Sequence, residues 1–171
     1  MVRADAQRNI DALLDAAMTV FTTSGVDAPA KQIADLAGVG VGTVYRHFPQ
    51  RSDLVVAVLR HEIGACAESA RASTLDEWFG GYVALLRTKP GFASALHSGD
   101  PAFAALPGYF MQTLGPALSS LLDAAAAAGE IRAGTDAEEL LYAVALLCQG
   151  KSPERMVALL VDGLRYRAGA P

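Results

Sequence analysis

An all-α fold is predicted by three features of the chain. Apolar residues recur at helical spacing, as in Ile10, Leu13, Leu14, Ala17 and Phe21, which share one helix face. The eight prolines and sixteen glycines cluster between such periodic segments, where they end helices rather than support strands. Aromatic residues make up only 7% of the chain while 52% of it is apolar, so the core is built of Ala, Leu and Val helices. At 171 residues the chain suits one compact unit or two small ones sharing a core.

The first helix is expected from Asp5 to Thr23, closed by Gly25, with Arg8, Asp11 and Asp15 on its solvated face. Met1 to Ala4 read as a short arm carrying Arg3. Pro29 pre-sets the backbone for a second helix from Ala30 to Ala37, whose apolar face is Ile33, Ala34, Leu36 and Ala37. Gly38 then supplies the positive φ that turns the chain. A third helix starts near Gly40 and carries Val44 and Phe48 inward at i and i+4.

What this leaves outward is Val41, Gly42, Thr43, Tyr45, Arg46 and His47. The set is small at its start, then aromatic, cationic and hydrogen bonding, which suits a helix entering a DNA major groove. Arg46 is the best candidate for a bidentate contact with guanine, Val41 for a thymine methyl, and Gly42 for close approach. Lys31 lies near the positive end of the second helix, within reach of a phosphate. The structural alternative for these side chains is an ordinary solvated helix face.

Pro49 to Asp53 form a turn and helix start, followed by a long fourth helix through Leu54, Val55, Val58, Leu59 and on to Ser69. Three short helices offer too little apolar area to stand alone, so they are expected to pack on this fourth one. Domains are accordingly drawn as residues 1–50, a helix-turn-helix module, and residues 51–171, a helical regulatory and dimerisation region.

Thr74 with Glu77 three residues on forms a capping box that opens a helix to Thr88. Lys89-Pro90-Gly91 breaks it, Phe92 to His97 suggest a short helix, and Phe103 to Leu106 form a short segment leading into the next. Gly108 to Ala128 form a long helix with a kink expected before Pro116. It belongs to the longest uncharged run, Pro101 to Leu122, but Pro107, Gly108, Gln112, Gly115 and Pro116 argue for a buried helix, not a membrane span. Thr135 with Glu138 reads as a second capping box, opening Asp136 to Gln149, and Ser152-Pro153 open the last helix. The connections at Ala72-Ser73 and Gly150-Lys151 are abrupt for helices of this length.

The run Ile33-Ala34-x-x-Ala37-Gly38-Val39-x-x-Gly42-Thr43-x-Tyr45-x-His47-Phe48, with Arg51 following, resembles the DNA-binding signature of the tetracycline-repressor (TetR) family of bacterial transcriptional regulators. The resemblance implies a three-helix helix-turn-helix DNA-binding module, joined by a long fourth helix to a helical ligand-binding and dimerisation domain. By the same resemblance, Tyr45, His47 and Arg51 grip phosphates while Val41, Gly42, Thr43 and Arg46 lie near base edges. The chain departs from the family pattern in two places. Pro29 and Ala30 stand where the second helix usually begins with a hydroxyl residue, and Gly40 stands where a serine commonly caps the third. The segment Ala128 to Arg132, then Asp136 to Leu141, resembles the C-terminal half of such regulators.

The resemblance implies a double-stranded DNA operator, a small-molecule effector of unknown identity and a second copy of the chain as partners. Trp78, Tyr82, Phe92, His97, Phe103, Tyr109, Phe110, Met111 and Gln112 gather the large adaptable side chains mid-chain, as either plain core or the lining of an effector pocket. The last two helices carry wide apolar stripes. Leu140, Leu141, Val144 and Leu147, with Met156, Leu159, Leu160 and Gly163, are expected at a two-fold homodimer interface.

Other classes find less support. The net charge is −4, yet residues 1–60 are balanced at six basic and six acidic groups, so the acidity lies further along. That excludes a protein that coats nucleic acid by charge alone, and not a specific reader. His47, His61 and His97 form no metal-ligand spacing with Cys66 and Cys148, and no cofactor is expected. His97-Ser98-x-Asp100 invites a triad reading, but side chains this close in sequence rarely converge in a triad, so no enzyme is expected. Two cysteines without a secretion signal point to a cytoplasmic location. The alternative from another class is a small-molecule binding module that has lost DNA readout, suggested by the neutral N-terminal balance.

Overall fold

The computed structural model describes residues 2–87 and 101–165, and of residues 2–8 the backbone alone. The regular structure of the described residues is all helical, with eight α-helices: α1 Val2–Ser24, α2 Ala30–Ala37, α3 Val41–His47, α4 Arg51–Ser69, α5 Leu75–Arg87, α6 Leu106–Ala127, α7 Ala137–Leu147 and α8 Pro153–Arg165. A short 3₁₀ turn, Pro101–Phe103, precedes α6. Most bounds follow the sequence pattern. α1 takes in Val2 to Ala4 of the expected arm, and α6 absorbs Leu106, expected in a separate segment. The expectations placed on residues 88–100, including Phe92, His97 and the Lys89-Pro90-Gly91 break, lie outside the described residues.

The chain divides into two compact units. The first holds the residues up to Glu62 and Pro101–Pro107; the second holds Ile63–Arg87 and Gly108–Arg165. The division therefore falls inside α4 instead of between Gln50 and Arg51. The reason is packing. Leu54, Val55, Val58 and Leu59 of α4 are buried in the same cluster as Leu13, Ala17 and Phe21 of α1, Ile33 and Ala34 of α2 and Val44 of α3. Three short helices thus complete their core with the start of the fourth, and Leu106 joins it. Phe103 is half-buried against this cluster.

In the second unit, α5 inserts Trp78, Phe79 and Tyr82 among Leu114, Leu118 and Leu122 of α6, Leu141 and Val144 of α7, and Val157, Val161 and Leu164 of α8. Trp78 lies edge-on to Phe79 and stacked on Tyr82, with ring centroids 5.3 and 5.4 Å apart. Both polar tips are satisfied within the unit: the Trp78 Nε1–H donates to Cys66 O at 3.0 Å and the Tyr82 hydroxyl to Leu141 O at 3.1 Å. α5 and α8 run antiparallel and are tied at both ends, Arg165 pairing with Asp76 and Arg87 with Glu154.

Local signals set the helix ends. The Thr74 box forms as expected, its backbone N–H donating to Glu77 Oε2 at 2.8 Å and Glu77 N–H returning to Thr74 Oγ1 at 3.3 Å. The Thr74 N–H and hydroxyl, both donating to Glu77 Oε2, hold that carboxyl below its ordinary pKa. The second box does not form at Thr135. Asp136 is the cap, its carboxylate accepting the Glu139 N–H at 2.9 Å, while Thr135 Oγ1 is buried without a hydrogen-bond partner. Pro116 sits inside α6, and no helix among the described residues is long and apolar enough to cross a membrane.

Candidate nucleic-acid interface

The turn between α2 and α3 is built by hydrogen bonds that only a left-handed residue permits. Gly38 adopts φ 69° and ψ 27°; its N–H donates to Asp35 O at 3.3 Å, and the next N–H, of Val39, reaches back to Ala34 O at 2.9 Å. This 6→1 and 5→2 pair closes α2 and aims the chain into α3 within two residues. Gly40 then takes an extended conformation, φ −72° and ψ 142°, with its carbonyl accepting the Thr43 N–H at 2.8 Å. It caps α3 without a side-chain hydrogen bond.

Within α3 the only buried side chain is Val44, at 1% exposure. It anchors the helix on Ile33, Ala34 and the α4 residues of the same cluster. Everything expected to read DNA lies on the other side. Val41 and Tyr45 are 41% and 56% exposed, Gly42, Arg46 and His47 are exposed, and Thr43 is half-buried. One buried contact in seven residues leaves most of this helix's surface for a partner. Lys31 is exposed on α2, and its ammonium meets Asp35 one turn on at 2.8 Å. A pair this exposed contributes little and does not hold the cation back from a phosphate.

Arg51 is placed differently from the expectation. Its guanidinium points inward, Nε donating to Val26 O at 2.6 Å and Nη2 to Ala28 O. The guanidinium carbon lies 5.1 Å from the centroid of the Phe21 ring. Burial pushes its pKa down, with Asp27 and Tyr45 working in the opposite direction. Where a phosphate grip was expected, the structure shows an internal contact, with two of the five guanidinium N–H donors held by backbone carbonyls. Arg51 also borders a cleft of about 290 Å³ with Asp27, Pro29, Tyr45, Phe48 and Gln50. Asp27 and the Val26 and Ala28 carbonyls were not legible as site groups, since a backbone oxygen carries no sequence signal.

The residues expected to line an effector pocket are placed in different surroundings. Trp78, Tyr82, Tyr109 and Phe110 belong to the second unit's cluster, with Tyr82 and Phe110 ring centroids 5.9 Å apart. Gln112 is exposed, and Phe103 packs in the first unit's core instead.

The residues expected at the dimer face fall into two groups. Leu140, Leu141 and Val144 are at most 6% exposed, so the interior of their own unit already covers them. Leu147 and Leu160 are half-buried against it. The apolar side chains left outward are Tyr142 and Leu146 on α7, at 62% and 67%, and Met156 and Leu159 on α8, at 44% and 55%, beside exposed Gly163. Tyr142 and Leu146 are separated by one turn and form the opposite face of α7.

A two-helix element held by a left-handed glycine, with one helix almost wholly exposed and edged by Tyr45, Arg46 and His47, defines a helix-turn-helix DNA-binding protein. Comparison with known proteins places it further. Residues 13–58 match the family model described as bacterial regulatory proteins, tetR family, and residues 71–166 match that of the transcriptional regulator SbtR-like C-terminal domain. The crystal structure of the TetR transcriptional regulator SCO0520 from Streptomyces coelicolor is similar over 92% of this chain and 99% of that one, with TM-score 0.77 and 34% identity. A TetR transcription regulatory protein from Mycobacterium vanbaalenii aligns over 97% and 100% of the two chains, with TM-score 0.66 and 34% identity. Among curated relatives, the repressor LfrR of Mycolicibacterium smegmatis is 43% identical over 58 residues, covering 32% of this chain and 29% of the relative. The matches span about a third of the length of such relatives. The chain belongs to the TetR family of transcriptional regulators.

Proposed function

We propose that the protein is a homodimeric repressor that binds a specific DNA operator through α3 and is released from it by a small-molecule effector. The observation that carries this reading is the outward face of α3, where Val41, Tyr45, Arg46 and His47 are exposed while Val44 alone is buried. Arg46 and Val41 are assigned to base edges, and Tyr45, His47 and Lys31 to the phosphate backbone.

Two copies are required by the geometry of DNA, because recognition helices must sit about 34 to 36 Å apart to enter successive major grooves. The pairing face assigned to this is Tyr142, Leu146, Met156 and Leu159, which the fold leaves uncovered on α7 and α8. The repressor LfrR, similar over 58 residues, supports the sign of regulation.

The effector is assigned to the aromatic cluster of α5 and α6. α4 is the element that would carry its effect, since Val58 and Leu59 are buried in one core and Ile63 in the other. A differential affinity of about 1 to 3 kcal/mol between the DNA-bound and effector-bound states is sufficient for such coupling. A cytoplasmic location follows from the assignment to DNA.

The test is selection of bound sequences from a random DNA pool, repeated with the Tyr45→Ala, Arg46→Ala double variant. Wild type should enrich a two-fold symmetric site, and the folded double variant should enrich none. Equal enrichment by both would remove α3 as the reader.

A further inference from the structure

We infer that Arg51 is a positioning residue: it clasps the open end of the helix-turn-helix and so sets how α3 is presented to DNA. The inference rests on the DNA reading above and deepens it. α2 and α3 are joined at Gly38, and their far ends are the entry to α2 at Ala30 and the exit from α3 at His47. Four residues after that exit, Arg51 reaches back across 23 and 25 residues of sequence to the carbonyls of Ala28 and Val26, which lead into α2. One side chain therefore bridges both open ends.

Three further observations favour a clasp over a phosphate contact. Arg51 is the first residue of α4, where the helix dipole disfavours a cation, so the helix itself gives no reason for its charge there. The carbonyls at Val26 and Ala28 do. The guanidinium lies over Phe21, fixing the same group to α1 as well. Its two carbonyl bonds use Nε and Nη2, donors fixed in one plane. A lysine carries the same charge as a compact ammonium without that fork and cannot reproduce both bonds together with the ring contact.

The consequence is that charge conservation at this position does not conserve function. A phosphate contact would tolerate Arg51→Lys; a clasp would not. The cleft beside Tyr45 and Phe48, about 290 Å³ in volume, is walled by the clasp and would change shape when it opens.

The experiment compares wild type, Arg51→Lys and Arg51→Ala as full-length chains, with folding checked by circular dichroism. Affinity for the selected DNA site and for unrelated DNA is measured across a salt series, and amide exchange is followed without DNA. For a clasp, Arg51→Lys weakens the selected site about tenfold or more, the scale of a lost charged hydrogen bond. Affinity for unrelated DNA and the salt slope stay as in wild type, and exchange quickens over residues 25–30 and α3. A wild-type affinity in Arg51→Lys overturns the inference. So does a slope that falls by about 0.9, one phosphate contact, in Arg51→Ala. A loss of global stability alone would leave the preference for the selected site intact in the folded fraction, and that result also overturns it. If wild type selects no sequence, the DNA reading fails, while amide exchange in Arg51→Lys still decides the clasp: unchanged exchange refutes it.

Discussion

Gly38 and Gly40 stand two residues apart in the same turn, and substitution should affect them in opposite directions. A Cβ added at either position meets nothing within 4 Å, so steric crowding cancels from the comparison and backbone conformation decides. Gly38 is held at φ 69°, where an L-residue costs about 1 to 2 kcal/mol. Restricting the unfolded chain returns about 0.4 to 1 kcal/mol on replacing glycine, so Gly38→Ala should destabilise by roughly 1 kcal/mol net. Gly40 is at φ −72° and ψ 142°, which any residue adopts, and it caps α3 with no side-chain hydrogen bond. Gly40→Ser keeps the unfolded-state gain and adds a few tenths of a kcal/mol from a serine cap, for a net stabilisation of roughly 0.5 to 1 kcal/mol. The two variants should therefore differ by about 1.5 to 2 kcal/mol. With a urea dependence of about 1 to 3 kcal/mol per molar, their midpoints should separate by about 1 M. The assay is urea denaturation followed by helical circular dichroism. A neutral Gly38→Ala would mean that the turn relaxes without cost, and a destabilising Gly40→Ser would mean that the α3 start has no room for a cap; either would refute the reasoning.

Two other outcomes follow from burial. Replacing Leu146 and Leu159 together with Glu should convert a dimer to monomer with helix content retained. Each is more than half exposed in the single chain, and two apolar side chains lost per protomer, at about 1.5 to 3 kcal/mol each, weaken association at least about a hundredfold; an unchanged mass in sedimentation equilibrium would reject the assigned face. Tyr82→Phe should cost about 1 kcal/mol at neutral pH through the lost bond to Leu141 O. Burial raises the Tyr82 pKa far above its ordinary value of 10.0, so the folded state keeps a proton that the unfolded state releases. Wild-type stability should then fall as pH rises above about 10, and Tyr82→Phe should flatten that fall. Parallel curves for the two proteins above that pH would reject the assignment.

What was legible in the sequence was what is decided locally. The bounds of α2, the turn at Gly38 and the box at Thr74 and Glu77 depend on residues within one or two turns of each other, and all are as expected. Ambiguity began where two local choices were equally good. Thr135 and Asp136 are both capping residues, each with a glutamate three residues on, and only the folded chain shows that Asp136 caps. Beyond Glu138 and Glu139 in its first turn α7 is apolar on all sides, with Leu140, Leu141, Val144, Tyr142 and Leu146 offering two possible inner faces, so helical periodicity could not choose between them. The direction of Arg51 was beyond reach for another reason. Its partners are backbone carbonyls more than twenty residues away.

The ion pairs between α5 and α8 bear on direction more than on strength. Each is exposed, and such a pair contributes at most about 1 kcal/mol. Yet α5 is acidic at its start and basic at its end, and α8 repeats the same order, Glu154 first and Arg165 last. Laid side by side in the same sense, the two helices would set acid against acid at one end and arginine against arginine at the other. Reversed, every end meets its opposite. The polarity of charge along each helix thus acts as an arrow that favours the antiparallel alignment over the parallel one.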